Sequence, residues 1–433
     1  MSFEKTTPRS NRVHIGIFGR RNVGKSSLIN AISEQDVALV SPVPGTTTDP
    51  VYRTMEIHGV GPVVLVDTPG IDDEGELGRA RVARSLRILR KTDLVLLVLD
   101  PLVGVGEPER NLLRDLAKRK IPVIVVMNKS DLVSGSAVSA VHSSPERSPA
   151  SLHGTGNLDL AQTTRSIRSL LGEDAPQEIA RVSALTGDGI PELVREISRV
   201  ISRNRIDEEP PIVGDLLEPG DLVVLVIPVD MEAPKGRLIL PQVQTLRDIL
   251  DHNAAALCVR IPELGKLLPT LGKQPRLVIT DSQVFREADA ALPREIPLTS
   301  FSILFARHKG EFAELIRGVR SLDRLKPYDR VLIAEACTHH PIEDDIARVK
   351  IPRWLQQKVG GTLDFTWSRG VSFPDNLDQF KVIVHCGGCM LNRKEMASRI
   401  DLAKEAGVPI TNYGMTIAWA NGILERALEP FGI

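Results

Sequence analysis

The sequence predicts an α/β protein in which a doubly wound, P-loop domain (residues 1–206) precedes two smaller α/β domains (207–325 and 326–433). Three observations carry this. From Val13 to about Arg203 short apolar runs alternate with amphipathic stretches, and a glycine-rich phosphate-loop pattern joins the first such run to a helix-like segment. A charged stretch with a Pro pair, Asn204 to Gly220, then separates this region from two further series of strand-like and helix-like runs.

In the first domain VHIGIF, VVLVDTPG, DLVLLVLD and IPVIVVMNKSD are apolar at successive positions, as strands covered on both faces are. From Leu132 to about Asn157 the chain is rich in Ser, Gly and Pro and has no periodicity, which predicts a mobile surface loop. The middle domain mixes strand-like DLVVLVIPV, ALCVRI and PRLVIT with helix-like PQVQTLRDILDH. It offers no recognisable catalytic element. The third domain opens near Lys326 with RVLIAEAC and continues through FKVIVHCGGC and VPITNYG, each followed by a helix-like stretch.

A chain of 433 residues exceeds what one hydrophobic core usually sustains, and 42% hydrophobic with 25% charged residues is an ordinary globular composition. Lys plus Arg (54) nearly balances Asp plus Glu (55), so no overall field draws the chain to nucleic acid or an anionic membrane. Neither partner is expected. No apolar run approaches the roughly 20 residues of a membrane helix, and the opening MSFEKTTPRSNR has no apolar core of the signal-peptide kind, which predicts a cytoplasmic protein. Four cysteines are too few for a disulfide framework, yet three cluster near the C-terminus and suggest metal chemistry.

Gly19-Arg-Arg-Asn22-Val23-Gly24-Lys25-Ser26 fits the pattern GxxxxGK[ST] between an apolar strand and a helix. Its glycines let main-chain N–H groups wrap phosphates, with Ser27 among the nucleotide-binding residues near the start of a helix whose dipole favours an anion. Lys25 is expected to reach the β and γ phosphates, and the Ser26 hydroxyl to ligate Mg²⁺. Asp67-Thr-Pro-Gly70 would set a carboxylate beside that metal and a glycine amide near the γ-phosphate. Asn128-Lys129-Ser-Asp131 follows another strand, and the ionised Asp131, an acceptor-only group, suits the donors at guanine N1 and N2. Adenine lacks that pair. Ser183 and Ala184 would complete the base pocket, so the four elements predict GTP binding and hydrolysis.

These elements resemble the GTPases related to Era and to the tRNA-modification GTPase MnmE, over about Val13 to Arg203. The resemblance implies that PGTTTDP is a switch loop with Thr47 as a metal-ligating threonine. Asn22 matches the asparagine with which several relatives hold a potassium ion. Ile71 stands where Ras-like enzymes place a water-orienting glutamine, which implies modest intrinsic turnover. Such relatives also make an RNA-modification or ribosome-assembly GTPase with a structural zinc site a competing reading.

The third domain carries Cys337-Thr-His339 and His385-Cys386-Gly-Gly-Cys389, each directly after an apolar run. Ligand sites of open α/β sheets gather at such strand ends. A Cys₃His zinc site and a cubane iron–sulfur cluster both fit these residue types. The whole architecture also looks like the FeFe-hydrogenase maturation GTPase family, HydF. That resemblance implies a 4Fe–4S cluster on Cys337, Cys386 and Cys389, with His339 and His385 as exchangeable ligands or supporting groups. It further implies a homodimer joined through the middle domain, and a scaffold that takes a diiron precursor from radical-SAM maturases and passes it to apo-hydrogenase. The long Ser/Pro-bearing stretch between the NKSD and SAL elements departs from the usual spacing.

Other candidates are set aside. Cys258, inside ALCVRI, is expected as a buried core thiol. His14, His58, His252 and His308 stand alone and are expected to be surface or internally satisfied. His340 is a substitute for its neighbour His339.

Overall fold

The computed structural model describes residues 12–33, 51–72, 88–132, 160–171, 179–204, 210–228, 238–336, 345–370, 373–374, 376–389 and 391–433. Thr47, nearly all of the Leu132–Asn157 stretch, and the segment holding Cys337, His339 and His340 lie outside the described residues. The chain forms two compact units, 1–208 and 209–433.

The first unit holds a six-stranded sheet. Its strands are β1 (Val13–Phe18), β2 (Val51–Ile57), β3 (Gly61–Asp67), β4 (Leu94–Leu99), β5 (Val123–Met127) and β6 (Ala180–Arg181), in the order β2-β3-β1-β4-β5-β6. The β2–β3 pair is antiparallel, and the remaining pairs are parallel. Alternate residues of one strand enter different cores. In β4, Leu94, Leu96 and Val98 join the cluster that contains Leu28 and Ile197, whereas Val95, Leu97 and Leu99 join the one that contains Leu113 and Ile167. Helices therefore cover both faces, and the strand reads as the unbroken run LVLLVL because no position on it meets water.

The second unit contains two four-stranded, wholly parallel sheets. One, ordered β10-β9-β7-β8, comprises β7 (Leu222–Val226), β8 (Ala255–Val259), β9 (Leu277–Thr280) and β10 (Leu298–Ser300). The other, ordered β12-β11-β13-β14, comprises β11 (Arg330–Glu335), β12 (Asp364–Arg369), β13 (Val382–His385) and β14 (Ile410–Asn412). The sequence suggests two separate domains here, but one hydrophobic cluster runs from Val224 and Val278 through Ile303 and Leu315 to Ile333, Val384 and Leu428. Polar ties cross the same seam. Arg426, itself buried, donates to Asp289, Pro293 and Ile296, and the Asn412 amide donates to the Ser302 carbonyl.

Cys258 corrects an expectation. It is exposed, because β8 is an edge strand covered on one side only and none of its residues is fully buried. The single histidines behave as expected where buried or half-buried: His14, His252 and His308 each place Nδ1 against a main-chain carbonyl, of Arg12, Asp248 and Pro210 respectively.

Gly318 shows how closely the second unit is packed. Helix Phe312–Ser321 lies so near β14 that a Cβ on Gly318 would stand 1.8 Å from the Ile410 carbonyl oxygen. Backbone cannot retreat as a side chain can. Gly318→Ala is therefore expected to destabilise the second unit by about 3 kcal/mol, the upper end of overpacking costs, read by thermal or urea unfolding. An unchanged transition would contradict the packing.

Candidate functional site

The phosphate loop follows β1 and winds into helix Lys25–Ser33. Two of its glycines are required by close approach. Gly19 has φ +154° and would place a Cβ 2.4 Å from the Val98 carbonyl oxygen, while Gly24, at φ +92°, would place one 2.3 Å from Asn128 Nδ2. Asn22, between them, is exposed with φ 61°, the left-handed region that Asn tolerates better than most residues. Lys25 is buried, and its ammonium donates to the carbonyls of Gly19 (3.0 Å) and Arg20 (2.7 Å). The cation thus lies inside the curl of the loop.

Ser26 and Asp67 meet at the ends of neighbouring elements: the serine Oγ donates to Asp67 Oδ2 at 2.6 Å. A hydroxyl and a carboxylate oxygen so close together, both reached by solvent, match the hard-oxygen donors Mg²⁺ prefers. Gly70 and Ile71 continue from β3 back over the loop, where the Ile71 N–H donates to the Gly19 carbonyl at 3.3 Å. Ile71 packs on the apolar core under β4, so its side chain orders no water. Asp72 accepts from the Arg21 N–H at 2.8 Å.

The base-side elements are tied to the phosphate side by one buried amide. Asn128 Nδ2 donates to the Val23 carbonyl at 2.9 Å, and its Oδ1 accepts from the Ala184 N–H at 3.0 Å. Three sequence-distant segments are therefore locked by a side chain at the end of β5. Ser183 Oγ donates to Asp131 Oδ1 at 2.6 Å, which orients that carboxylate. Lys129, at φ 59°, pairs with Asp100 at 2.8 Å.

Sequence reasoning missed two supports. Arg20 makes a two-pronged bond with Glu109 (2.7 and 2.9 Å), and Glu109 also accepts from the Gly106 N–H at the start of helix Glu107–Lys118. The carboxylate hydrogen bond raises the affinity of Arg20 for its proton. The other is Asp100. Glu109 was legible only as a helix N-terminal capping residue, and Asp100 only as the polar end of an apolar run; neither pattern names its partner.

At the second locus the ends of β11 and β13 adjoin, since Ala334 is in register with His385. The Cys386 N–H donates to the Ala334 carbonyl at 2.8 Å, and Cys386 Sγ accepts from the Ala336 N–H at 3.1 Å. Ala336, the residue immediately before Cys337 in the sequence, thus lies beside Cys386 where β11 and β13 end. Cys386 and Cys389 are both half-buried, on a loop that turns at Gly388 (φ 60°). Among the described residues no group of three or more His, Cys, Asp or Glu side chains gathers as metal ligands.

Of the two roles expected for His385, exchangeable ligand or supporting group, the geometry bears on the second. The side chain is fully buried, with Nδ1 2.7 Å from the Cys386 carbonyl and Nε2 2.9 Å from Arg399 Nη1. A guanidinium only donates, so Nε2 accepts and the ring proton sits on Nδ1, donating to Cys386. Both nitrogens are occupied behind the loop, where the histidine orients Cys386 rather than offering a lone pair.

Three family models match successive segments of the chain. Residues 14–129 match the model of the 50S ribosome-binding GTPase family, residues 212–310 the hydrogen maturase F dimerization domain, and residues 313–430 the hydrogen maturase F tetramerization domain. Among curated relatives, the tRNA modification GTPase MnmE of Roseiflexus sp. is 35% identical over 186 residues, 43% of this chain and 35% of that protein. GTPase Der of Chloroflexus aurantiacus is 37% identical over 132 residues, 30% of this chain and 29% of that protein. The chain thus spans about a third of the length of the curated relatives it matches. Among solved structures, Aquifex aeolicus Era bound to GDP and aluminium fluoride aligns with 57% of this chain and 93% of its own, at 19% identity and a TM-score of 0.30.

Asn128→Ala would strand the Val23 carbonyl and the Ala184 N–H. Each lost buried partner costs about 1–3 kcal/mol. The variant is expected to melt earlier and to bind GTP more weakly, measured by calorimetry of the first unit's transition and by nucleotide titration. Wild-type values in both would show that the amide is not the tie described.

Proposed function

Because this chain belongs to the hydrogen maturase F family, whose two domain models together cover about half of it, we propose that it is a GTP-hydrolysing scaffold for assembling a hydrogenase metal centre. In this reading it carries a 4Fe–4S cluster and receives and delivers a diiron precursor. Radical-SAM maturases are the donors and apo FeFe-hydrogenase the acceptor, with the chain working as a homo-oligomer through its second unit. The tRNA-directed role is named for MnmE relatives matched over less than half of this chain, and the ribosome-directed one for the family model matched over residues 14–129.

The nucleotide roles follow from the chemistry of the site. Lys25 and the loop amides hold the phosphates, Asp131 with Ser183 and Ala184 selects guanine, and Ser26 and Asp67 offer oxygens to Mg²⁺. The ion, when bound, neutralises charge that develops on the phosphates. The Gly70 amide, close to Arg21 of the phosphate loop, is assigned to the terminal phosphate of GTP. With Ile71 apolar, water is left to be oriented by backbone and by Thr47. Asn22 is assigned a potassium ion. GTP hydrolysis is then faster in KCl than in NaCl at equal ionic strength, and equal rates would remove potassium from the reading.

The single observation that supports the metal reading is the Ala336 N–H bond to Cys386 sulfur, which brings the residue preceding Cys337 against the Cys386–Cys389 loop. Three thiolates from these segments fit a cubane with one iron left for an exchangeable ligand. Such a cluster supplies an anchoring iron and an electron store. Anaerobic reconstitution with iron and sulfide is expected to yield a 4Fe–4S EPR signal in the reduced protein that Cys386→Ser abolishes. Stoichiometric zinc with no iron uptake would overturn the proposal in favour of a structural zinc site.

A further inference from the structure

Behind the Cys386–Cys389 loop lie two buried cations that the nucleotide and cysteine chemistry leaves unexplained. Lys309, 4% exposed, closes helix Phe301–Lys309, in the segment matched to the dimerization domain. Its ammonium donates to three carbonyls of the loop, Gly388 (3.3 Å), Cys389 (3.2 Å) and Leu391 (3.0 Å), and lies 5.6 Å from the centre of the Phe305 ring. Arg399, 3% exposed, fixes His385 and through it the Cys386 carbonyl, while also donating to the Gly370 carbonyl and lying over Phe373.

Burying an ammonium costs several kcal/mol, and a helix end against an apolar core accepts leucine or methionine without that penalty. The lysine therefore has work to do. Three carbonyls that converge on one point repel each other unless a cation or donor sits among them, and this convergence is the shape of the loop. Four carbonyls between Cys386 and Leu391 are thus drawn toward buried cations, directly or through His385. A loop so held keeps the spacing of Cys386 and Cys389 fixed before any metal arrives, which lowers the cost of binding one.

We propose that Lys309 is a positioning residue for the cysteine-bound metal centre, a charged tether by which the dimerization segment sets the shape and the charge environment of the loop. The inference rests on the reading of Cys386 and Cys389 as cluster ligands. It has two consequences. The tether preorganises the loop, so its loss loosens the cluster. Its fixed positive charge also favours the more negative, reduced cluster, because cluster potential responds to nearby charge and burial.

The test uses the full-length protein reconstituted with iron and sulfide. Lys309→Met keeps the length of the side chain and removes charge and donors; Lys309→Gln keeps a donor without the charge. Expected for Lys309→Met are release of iron to a ferrous chelator about tenfold faster than wild type and a more negative midpoint potential by EPR-monitored titration. Lys309→Gln should release iron less readily than the Met variant yet show the same direction of shift. Far-UV circular dichroism and melting curves establish that each variant is folded. Wild-type release and potential in a folded Lys309→Met protein would overturn the inference while leaving the cluster reading intact. Failure of the wild-type chain to take up iron would overturn the cluster reading itself. If neither variant folds, Lys309 is an element of stability alone and the inference falls.

Discussion

Parallel strand pairing is the constraint on which the rest of this molecule depends. A parallel strand must be covered on both faces, and its successor must return by a crossover, so every loop at the carboxyl end lies on the same side of its sheet. The phosphate loop after β1, Asp67 at the end of β3, Asn128 after β5 and Ser183 after β6 gather for that reason. The same rule, applied to another sheet, sets Ala336 after β11 beside Cys386 after β13. Two chemically unrelated loci thus obey one geometric rule.

Within that frame, a few buried polar side chains give the loops their shape. Asn128 ties the phosphate loop to the base-side segment, and Glu109 braces Arg20. In the second unit Lys309 and Arg399 do the corresponding work for the cysteine loop. Each is expensive to bury, and each is satisfied by backbone groups or by an opposite charge that would otherwise lack order. Both loci are thus braced by buried polar side chains that hold loop backbone in place.

The second unit differs from a string of independent modules. Its two sheets share one apolar cluster, and Arg426, Asn412 and Lys309 cross between the segments matched to the two hydrogen maturase F models. A change in one segment therefore strains the other, since packed interiors transmit displacement rather than absorb it. The segment matched to the dimerization domain and the loop that bears cysteines therefore belong to one packed body.

What the sequence by itself determined was everything local. The runs VHIGIF and LVLLVL announce buried strands, GxxxxGKS needs a strand before it and a helix after it, and the polar residues that end each run announce where chemistry collects. Spacing along the chain could not decide which distant residue meets which. His385 reads as an exchangeable ligand or a supporting group beside two cysteines, and only the fold shows that β13 carries it into the interior, where Nε2 meets Arg399 of a later helix. Cys258 reads as core, yet its strand lies at the edge of the sheet. Lys309 reads as an ordinary basic residue in a last helical turn, and only the packing of helix against loop turns it inward. Burial and charge pairing are properties of the assembled layers, so tertiary structure alone assigned these three.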